Sequence, residues 1–325
     1  MGRKLIIDCD PGHDDAVAIM MAGNNPAFDL LGITTVRGNQ SLEKTTRNAL
    51  NVCQYLGIDV PVCKGCAVPI VRDEPPLQQN IHGESGLDGP VFDELKKEID
   101  SRSAIEFIIG QVRKYPGEVT IAITGPMTNA ALALKVAPDI IPLIKQIVFM
   151  GGSWTNGNVT PAAEFNIWAD AEAAKIVVKS GIPIVMMGLD ITRKVLCCAE
   201  IIERMEKIKN PASRLFADLM RFFCKSQKAV YGWEGGPLHD PTTIAYLIDP
   251  SVITTKDMYT EIETEGASYG RTNCNPFLVD GAGNHVYEPN MKVSVEINAG
   301  RFWDIVEECI RNYDQIDPPC CRKSS

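Results

Sequence analysis

The sequence predicts an α/β fold, a single large Rossmann-like domain with a mostly parallel central sheet flanked by helices. Short, nearly all-apolar runs of strand length alternate with longer helical runs along the chain. Strands without a polar face are typical of a parallel sheet that helices cover on both sides. No Pro- or Ser-rich linker interrupts the chain, so one domain is expected over residues 1–313, with residues 314–325 as a flexible tail.

The elements follow one another as strand, loop and helix. The predicted strands cover residues 4–8, 30–36, 119–124, 144–150, 182–187 and 291–297. The predicted helices cover residues 16–22, 42–56, 127–136, 170–179, 211–231 and 301–313, with another beginning at Asp240. Pro-Gly, Gly-Pro and Gly-Gly turns close three of the strands, and the 211–231 run is amphipathic. Because open α/β sheets bind ligands beyond the carboxyl ends of their strands, the functional residues are expected in these loops.

The charge balance argues against a polyanionic partner. A formal net charge of -9 disfavours binding to nucleic acid or to an anionic membrane surface. No apolar stretch approaches the roughly 18 residues that a membrane span needs, and the first residues do not resemble a secretory signal. The chain is therefore expected to act in the reducing cytoplasm, with no nucleic-acid or membrane partner.

The spacing of Cys63 and Cys66 is that of a redox motif or half a zinc site. A second such pair, or a pair of histidines at a suitable distance, is missing from the sequence. The two cysteines are therefore interpreted as structural.

An acidic cluster follows the first predicted strand. Asp8, Asp10, Asp14 and Asp15 fall within eight positions, and no Lys or Arg occurs between Lys4 and Arg37. Carboxylates crowded into a partly buried loop must raise their pKa, find a cation or hold a metal. One or two of them could instead cap the following helix, whose N-terminus favours negative charge. An all-oxygen donor set favours a hard ion such as Ca²⁺, Mg²⁺ or Mn²⁺.

Several motifs, taken in order, resemble the inosine-uridine-preferring nucleoside hydrolases. The first is Asp8-Cys-Asp-Pro-Gly-His-Asp-Asp15. The others are Thr35-Val-Arg-Gly-Asn39, His82-Gly-Glu-Ser-Gly86, Thr124-Gly-Pro-Met-Thr-Asn129, Val148-Phe-Met-Gly-Gly152, Glu164-Phe-Asn166 and His239-Asp240-Pro241. The resemblance covers most of the chain and implies the nucleoside hydrolase fold and the hydrolysis of a ribonucleoside to free base and ribose.

The resemblance also implies a set of site residues. Calcium would be bound by Asp10, Asp15, Asp240 and the backbone carbonyl of Thr124. Ribose would be held by Asp14, Asn39, Met150, Glu164 and Asn166, with Asp8 behind the metal ligands. The nucleobase would be contacted by His82, Gln227 and Tyr231, the last two of which match positions in pyrimidine-preferring relatives.

The expected mechanism assigns proton transfers to two residues. Asp10 is the predicted general base, acting on a water that the metal activates. His239, next to the predicted ligand Asp240, is placed to donate a proton or a hydrogen bond to the departing base. The glycosidic bond is expected to break ahead of attack, leaving oxocarbenium-like charge that the carboxylates stabilise.

Two other functions fit parts of the pattern. A strand ending in Asp8-x-Asp10 also suits a haloacid-dehalogenase-like phosphohydrolase, although that pattern expects Thr or Val where this chain has Gly12. A nucleoside-binding protein of the same fold without turnover is the other alternative. The sequence leaves open the choice between purine and pyrimidine, and the resemblance suggests a homodimer or homotetramer.

Overall fold

A nine-stranded sheet forms the centre of the molecule, with helices on both faces, in a computed structural model that describes residues 2–314. The strands are β1 (Arg3–Cys9), β2 (Phe28–Thr35), β3 (Val62–Lys64), β4 (Thr120–Ile123), β5 (Gln146–Met150), β6 (Ile184–Met187), β7 (Leu196–Cys197), β8 (Gly236–Pro237), β9 (Ile253–Ile262), β10 (Thr272–Asn275) and β11 (Met291–Ile297). The helices are α1 (His13–Gly23), α2 (Leu42–Leu56), α3 (Gln79–His82), α4 (Ala104–Lys114), α5 (Thr128–Val136), α6 (Phe165–Ala169), α7 (Ala171–Val178), α8 (Leu189–Thr192), α9 (Ala199–Glu206), α10 (Pro211–Tyr231), α11 (Pro241–Ile248) and α12 (Ala299–Arg311). The predicted α/β class is confirmed, and the predicted tail after Asp314 lies outside the described residues.

The strand order in the large sheet is β10-β9-β11-β6-β5-β4-β1-β2-β3. The seven strands from β11 to β3 run parallel, whereas β9 pairs antiparallel with both β11 and β10. The sequence analysis missed β3, α4 and this antiparallel edge. In β9 buried positions alternate with exposed or half-exposed ones over much of its length, a pattern unlike the uniformly apolar parallel strands.

The topology reverses direction beside β1. The chain passes from β1 to β2 and β3 on one side and returns with β4 on the other side. At this switch point Thr124, just after β4, donates its backbone N–H to the carbonyl of Asp8, with an N···O distance of 2.8 Å. Loops that leave two adjacent parallel strands in opposite directions open a crevice between them. The acidic segment after β1 therefore lies at the mouth of this crevice.

Alternate side chains of β1 enter two separate cores. Ile7 packs into a core shared with α1, α2, α10, α11 and α12, whereas Ile6 packs against α4, α5 and α7. Both side chains are fully buried. The two-sided burial explains why the parallel strands read as continuous apolar runs.

Helix α10 begins and ends where the sequence predicts. The side chain of Asn210 accepts a hydrogen bond from the N–H of Ser213, and Pro211 occupies the first helical position. Gly232 ends the helix in the left-handed region, with φ of 72°. Neither α10 nor any other helix within the described residues is long and apolar enough to cross a membrane.

The last described turn is fastened to α1 by a buried tyrosine. Tyr313 is fully buried, and its hydroxyl donates to the carbonyl of Met20 at 2.7 Å. Since Met20 lies in the helix that carries Asp14 and Asp15, Tyr313 stabilises the scaffold of the acidic cluster.

We expect Tyr313→Ala to lower the free energy of unfolding by about 3–5 kcal/mol, because it leaves a ring-sized cavity. Tyr313→Phe, which removes only the hydroxyl, should cost about 1 kcal/mol. Urea denaturation followed by circular dichroism measures both, and Tyr287→Ala at a partly exposed ring is the control. Equal losses for the two Tyr313 variants would contradict this account of the packing.

Candidate active site

The four aspartates of the N-terminal motif are buried where β1 is followed by α1. Asp8 is in β1, Asp10 is in the connecting loop, and Asp14 and Asp15 lie in the first turn of α1. None of the four is more than 5% exposed. A helix N-terminus stabilises an anion by about 0.3–1 kcal/mol, which is far less than the cost of burying several carboxylates. Another source of stabilisation is required.

A fifth aspartate reaches the cluster from a distant part of the chain. Asp240 immediately precedes α11 and is 3% exposed. Carboxylate oxygens of Asp14, Asp15 and Asp240 all lie within 4.8 Å of one another. Three buried oxygens at this separation match the donor set of a hard divalent cation.

Asp10 adjoins this triad and has a free oxygen. Its Oδ2 accepts a hydrogen bond from the backbone N–H of Asn39 at 2.6 Å. Its Oδ1 is buried and has no hydrogen-bond partner among the described residues. Because an unpaired buried carboxylate oxygen is costly, this atom is suited to a ligand that the protein does not itself supply.

Thr124 contributes two oxygens at the same place. Its hydroxyl donates to Asp15 Oδ1 at 2.7 Å, and its carbonyl accepts from Asn166 Nδ2, also at 2.7 Å. A carbonyl has two lone pairs, so one remains for a cation.

The electrostatics of the cluster are those of an unneutralised cation site. Burial, together with the charge of Asp15, raises the pKa of Asp14 to about 7. Burial, together with the neighbouring carboxylates, raises the pKa values of Asp10 and Asp240 well above the usual range. Burial also raises the pKa of Asp15. Protons or a cation must compensate the negative charge of these buried carboxylates. The free oxygen of Asp10 together with the triad fits a divalent ion.

Helix capping accounts for only part of the cluster. Asp15 Oδ2 accepts the N–H of Gly12 at 3.0 Å, as in a capping box. The alternative interpretation as helix caps therefore holds for one oxygen of Asp15. It gives no role to the free oxygen of Asp10 or to Asp240.

Glu164 and Asn166 lie together at the start of α6. Glu164 accepts hydrogen bonds from the N–H groups of Gly152, Asn166 and Ile167 at 2.9–3.2 Å. Burial nevertheless raises the pKa of Glu164 to about 7. Asn166 Nδ2 also contacts the carbonyl of Met150 at 3.2 Å. The start of α6 thus forms one wall of the site, and Asn166 links that wall to the carbonyl of Thr124.

Helix α10 and the segment before α11 supply the opposite wall. Gln227 is 4% exposed, and its Oε1 is buried without a partner among the described residues. Tyr231, one turn further, is half exposed and stacks on Trp233 with ring centroids 5.0 Å apart.

His239 lies in the segment before α11, and its Nδ1 is 2.7 Å from the hydroxyl of Thr192. Burial, with a smaller contribution from the charge of Arg193, lowers the pKa of His239 to about 3, so its ring is neutral at physiological pH.

A cavity of about 210 Å³ connects these groups. The predicted residues that line it are Asp14, Asn39, His82, Thr124, Met150, Glu164, Asn166, Gln227, Tyr231, His239 and Asp240. Asp10 and Asp15 do not line the cavity, although Asp15 belongs to the triad and the charge of Asp10 acts on Asp240.

Sequence reasoning missed several wall residues, among them Asn158, Arg193 and Phe223. Arg193 follows β6 and α8, so the rule that ligands bind at the carboxyl ends of strands could have indicated it. Asn158 and Phe223 have no local signal, because one lies in an irregular loop and the other looks like a core residue of α10.

The structure disfavours the phosphohydrolase alternative. A Cβ at Gly12, where that pattern expects Thr or Val, would lie 2.6 Å from Nδ1 of His82. Among the described residues that line the cavity, Arg193 is the one with a permanent positive charge. A pocket rich in carboxylates repels a phosphate monoester.

Cys63 and Cys66 lie apart from this site, in and just after β3. Burial raises the pKa of each thiol to about 12, which makes both unreactive. Within residues 2–314, the only group of three or more candidate metal ligands is the aspartate triad.

Two sequence comparisons match this chain to nucleoside hydrolases. Residues 5–304 match the sequence model of the inosine-uridine preferring nucleoside hydrolases. The pyrimidine-specific ribonucleoside hydrolase RihB of Escherichia coli (strain K12) is 50% identical over 312 residues, which are 96% of this chain and 98% of the relative.

Two solved structures share both the fold and a substantial part of the sequence. The purine-preferring ribonucleoside hydrolase from Gardnerella vaginalis has a TM-score of 0.89 and 34% identity, covering 97% of this chain and 100% of its own. The plant nucleoside hydrolase PpNRh1 has a TM-score of 0.88 and 30% identity, covering 96% and 99%. The predicted fold is confirmed by these neighbours.

We expect a divalent cation to raise the melting temperature, and to do so more at pH 8 than at pH 5. The carboxylate pKa values are raised in the metal-free folded protein, so its stability falls as pH rises from about 4 through about 7. A cation replaces the lost protons at high pH but must displace them at low pH. Thermal denaturation with calcium or magnesium against sodium chloride of equal ionic strength measures the effect, and equal shifts at both pH values would contradict it.

Proposed function

The chain belongs to the inosine-uridine preferring nucleoside hydrolase family, whose members hydrolyse N-glycosidic bonds, and we propose that it cleaves pyrimidine ribonucleosides with the help of calcium. The observation that carries the proposal is the buried carboxylate cluster beside a cavity whose walls suit a sugar on one side and a base on the other. This function also accounts for most of the site residues that the sequence predicts.

Calcium would be held by Asp10, Asp15, Asp240 and the backbone carbonyl of Thr124. The support is the free Oδ1 of Asp10, the close oxygens of Asp15 and Asp240, and the spare lone pair of Thr124. When bound, the ion would lower the pKa of an adjacent water and attract the ribose diol. Asp14 belongs to the same triad and lines the cavity, and we assign it to the sugar hydroxyls as the family resemblance implies.

Ribose would lie between Asp14 and the α6 wall. Asn39, Met150, Glu164 and Asn166 line that part of the cavity, and backbone N–H groups hold Glu164 in place. A site built for hydroxyl groups rejects an analogue that lacks one, because its buried polar groups then stay unpaired. Ribonucleosides are thus preferred over 2′-deoxyribonucleosides in this proposal.

Asp10 would accept the proton of the attacking water. Its Oδ2 is fixed by the N–H of Asn39, so Oδ1, which has two lone pairs, would both face the ion and accept the proton. Asp14 and Glu164 stabilise the positive charge that develops on the ribose as the glycosidic bond breaks.

The base would be held by His82, Gln227 and Tyr231. The free Oε1 of Gln227 can accept a hydrogen bond from a base edge. RihB, named for its pyrimidine specificity, is the more similar relative at 50% identity, whereas the purine-preferring enzyme shares 34%. These observations favour uridine and cytidine over purine nucleosides.

His239 would assist the departing base. Its neutral ring can accept a hydrogen bond from the Thr192 hydroxyl at Nδ1 and present Nε2–H to the cavity. A hydrogen bond to the base stabilises the negative charge that it acquires on departure.

Cytoplasmic location and a homodimeric or homotetrameric state are part of the same proposal. The nine cysteines within the described residues are all free, as suits a reducing compartment.

We expect ribose release from uridine and cytidine to exceed that from inosine, adenosine and guanosine by about tenfold or more in kcat/KM. A chelator should abolish release, and added calcium should restore it.

Asp10→Asn should lower kcat by about 10²–10⁴, as expected for a lost general base. Asp139→Asn, at an exposed carboxylate, is the matched control. Full activity after metal removal would exclude the proposed calcium dependence, and nucleoside binding without ribose release would favour the inactive alternative.

A second test concerns the leaving group. His239→Ala should lower kcat on uridine by about 10² or more, because the uracil anion then departs unaided. On p-nitrophenyl β-ribofuranoside, whose phenolate needs no such help, the loss should stay below about tenfold. Steady-state rates on both substrates provide the measurement. Losses of the same size on the two substrates would rule out a leaving-group role.

A further inference from the structure

Arg193 lines the cavity but takes no part in the chemistry described so far. The same wall carries the carboxyl groups of Asp14, Glu164 and Asp240. A guanidinium group does not lose its proton in a folded protein. Arg193 is therefore the one permanent positive charge on the described part of the cavity wall, and its role needs an explanation.

Backbone carbonyls hold the guanidinium of Arg193. Its Nη2 donates to the carbonyl of Gly157 at 2.8 Å, and its Nη1 lies 3.4 Å from the carbonyl oxygen of Asn156. Within residues 2–314, Arg193 makes no ion pair with a carboxylate. A carbonyl accepts a hydrogen bond but carries no net charge, so it orients the cation without neutralising it. The positive charge remains available to a bound molecule.

Arg193 lies between the wall expected for the sugar and the wall expected for the base. On the sugar side, its charge opposes the rise in pKa that burial causes at Glu164. On the base side, the hydroxyl of the preceding residue, Thr192, lies 2.7 Å from Nδ1 of His239. The charge of Arg193 therefore acts on the part of the cavity where the sugar of the proposed substrate would meet its base.

The loop that holds Arg193 is itself fixed. Residues 151–163 connect β5 to α6 and supply both carbonyls. The carboxylate of Asp190, which lies in α8, accepts the N–H of Trp154 at 3.0 Å and the hydroxyl of Thr155 at 2.5 Å. The guanidinium is thus oriented before a substrate binds. A charge that is oriented in advance stabilises developing charge without a cost of reorganisation.

Cleavage of a pyrimidine ribonucleoside leaves an electron pair on the base. The bond from C1′ to N1 breaks with both electrons on N1, and the negative charge spreads over the ring to its carbonyl oxygens. The oxygen of water bonds to C1′, and one water proton passes to Asp10. The departed base takes a proton from the solvent, to which Asp10 later returns its own. Carboxylates on the cavity wall repel the departing anion, whereas a fixed positive charge attracts it.

We propose that Arg193 stabilises the pyrimidine anion as it departs, through the fixed positive charge of its guanidinium. The inference rests on the proposed function for the identity of the leaving group. It adds a charge to the hydrogen bond that His239 would donate. Two consecutive residues at the end of α8 then serve the leaving group, because Thr192 orients His239 and Arg193 supplies the charge.

Binding of free bases tests the inference without turnover. At pH 8, 6-azauracil is largely an anion, whereas uracil, which has C6–H in place of one ring nitrogen, is largely neutral. We expect Arg193→Gln to weaken the binding of 6-azauracil about tenfold and that of uracil by less than about twofold. Isothermal titration calorimetry of the full chain with calcium measures both affinities.

Lys194→Gln is the matched control, because it removes an exposed positive charge one position further along the chain. It should leave both affinities unchanged. If Arg193→Gln weakened the two bases equally, the inference would be overturned, whether or not the protein hydrolyses nucleosides.

Kinetics of Arg193 variants provide the second measurement. Arg193→Gln should lower kcat for uridine about tenfold or more and change KM by less than about twofold, since the base acquires its charge only in the transition state. Arg193→Lys keeps the charge and should recover most of the loss. A role confined to tethering the loop would instead raise KM, and lysine, which lacks the two-armed guanidinium, would not restore it. That result would also overturn the inference.

Absence of ribose release by the wild-type protein would refute the proposed function. The affinities for 6-azauracil and uracil would still decide whether Arg193 favours an anionic base.

Discussion

Repulsion among buried carboxylates is the constraint on which the site depends. Asp10, Asp14, Asp15 and Asp240 lie together and are buried, and burial with the charges of neighbouring aspartates raises the pKa values of Asp10, Asp14 and Asp240. Such a cluster stabilises nothing by itself, and hydrogen bonds from Gly12, Asn39 and Thr124 offset only part of its cost. In the proposed function, a bound cation and then the positive charge of a reacting sugar would relieve this instability.

The topology of the sheet explains how such a cluster is assembled. Asp10 follows β1 and Thr124 follows β4, two adjacent parallel strands whose loops diverge at the switch point. Asp14 and Asp15 lie where the dipole of α1 favours negative charge, and Asp240 precedes α11, which packs on α1. The parallel strand order and the packing of α11 on α1 thus bring together residues more than 200 positions apart.

Features formed by neighbouring residues could be predicted from the sequence, whereas contacts between residues far apart in the chain could not. The acidic segment and the amphipathic run 211–231 are local features, so the crowding of the aspartates and the bounds of α10 could be predicted. Asp240 joined the site only through the family resemblance, because nothing local links it to Asp10. The antiparallel strand β9 was missed because exposed Thr, Lys and Asp side chains interrupt its apolar residues. The contact between His13 and His82 arises from tertiary packing across 69 positions, which no spacing rule indicates.

The bond from Tyr313 to the carbonyl of Met20 joins the first helix to the end of the described chain. Strand β11 likewise inserts between β6 and β9, both of which precede it in sequence. During synthesis on the ribosome, α1 therefore lacks part of its packing until nearly the whole domain has emerged. The helix that carries Asp14 and Asp15 is made well before Tyr313 and β11. The acidic cluster in a nascent chain therefore stays incompletely packed until those later segments have been synthesised.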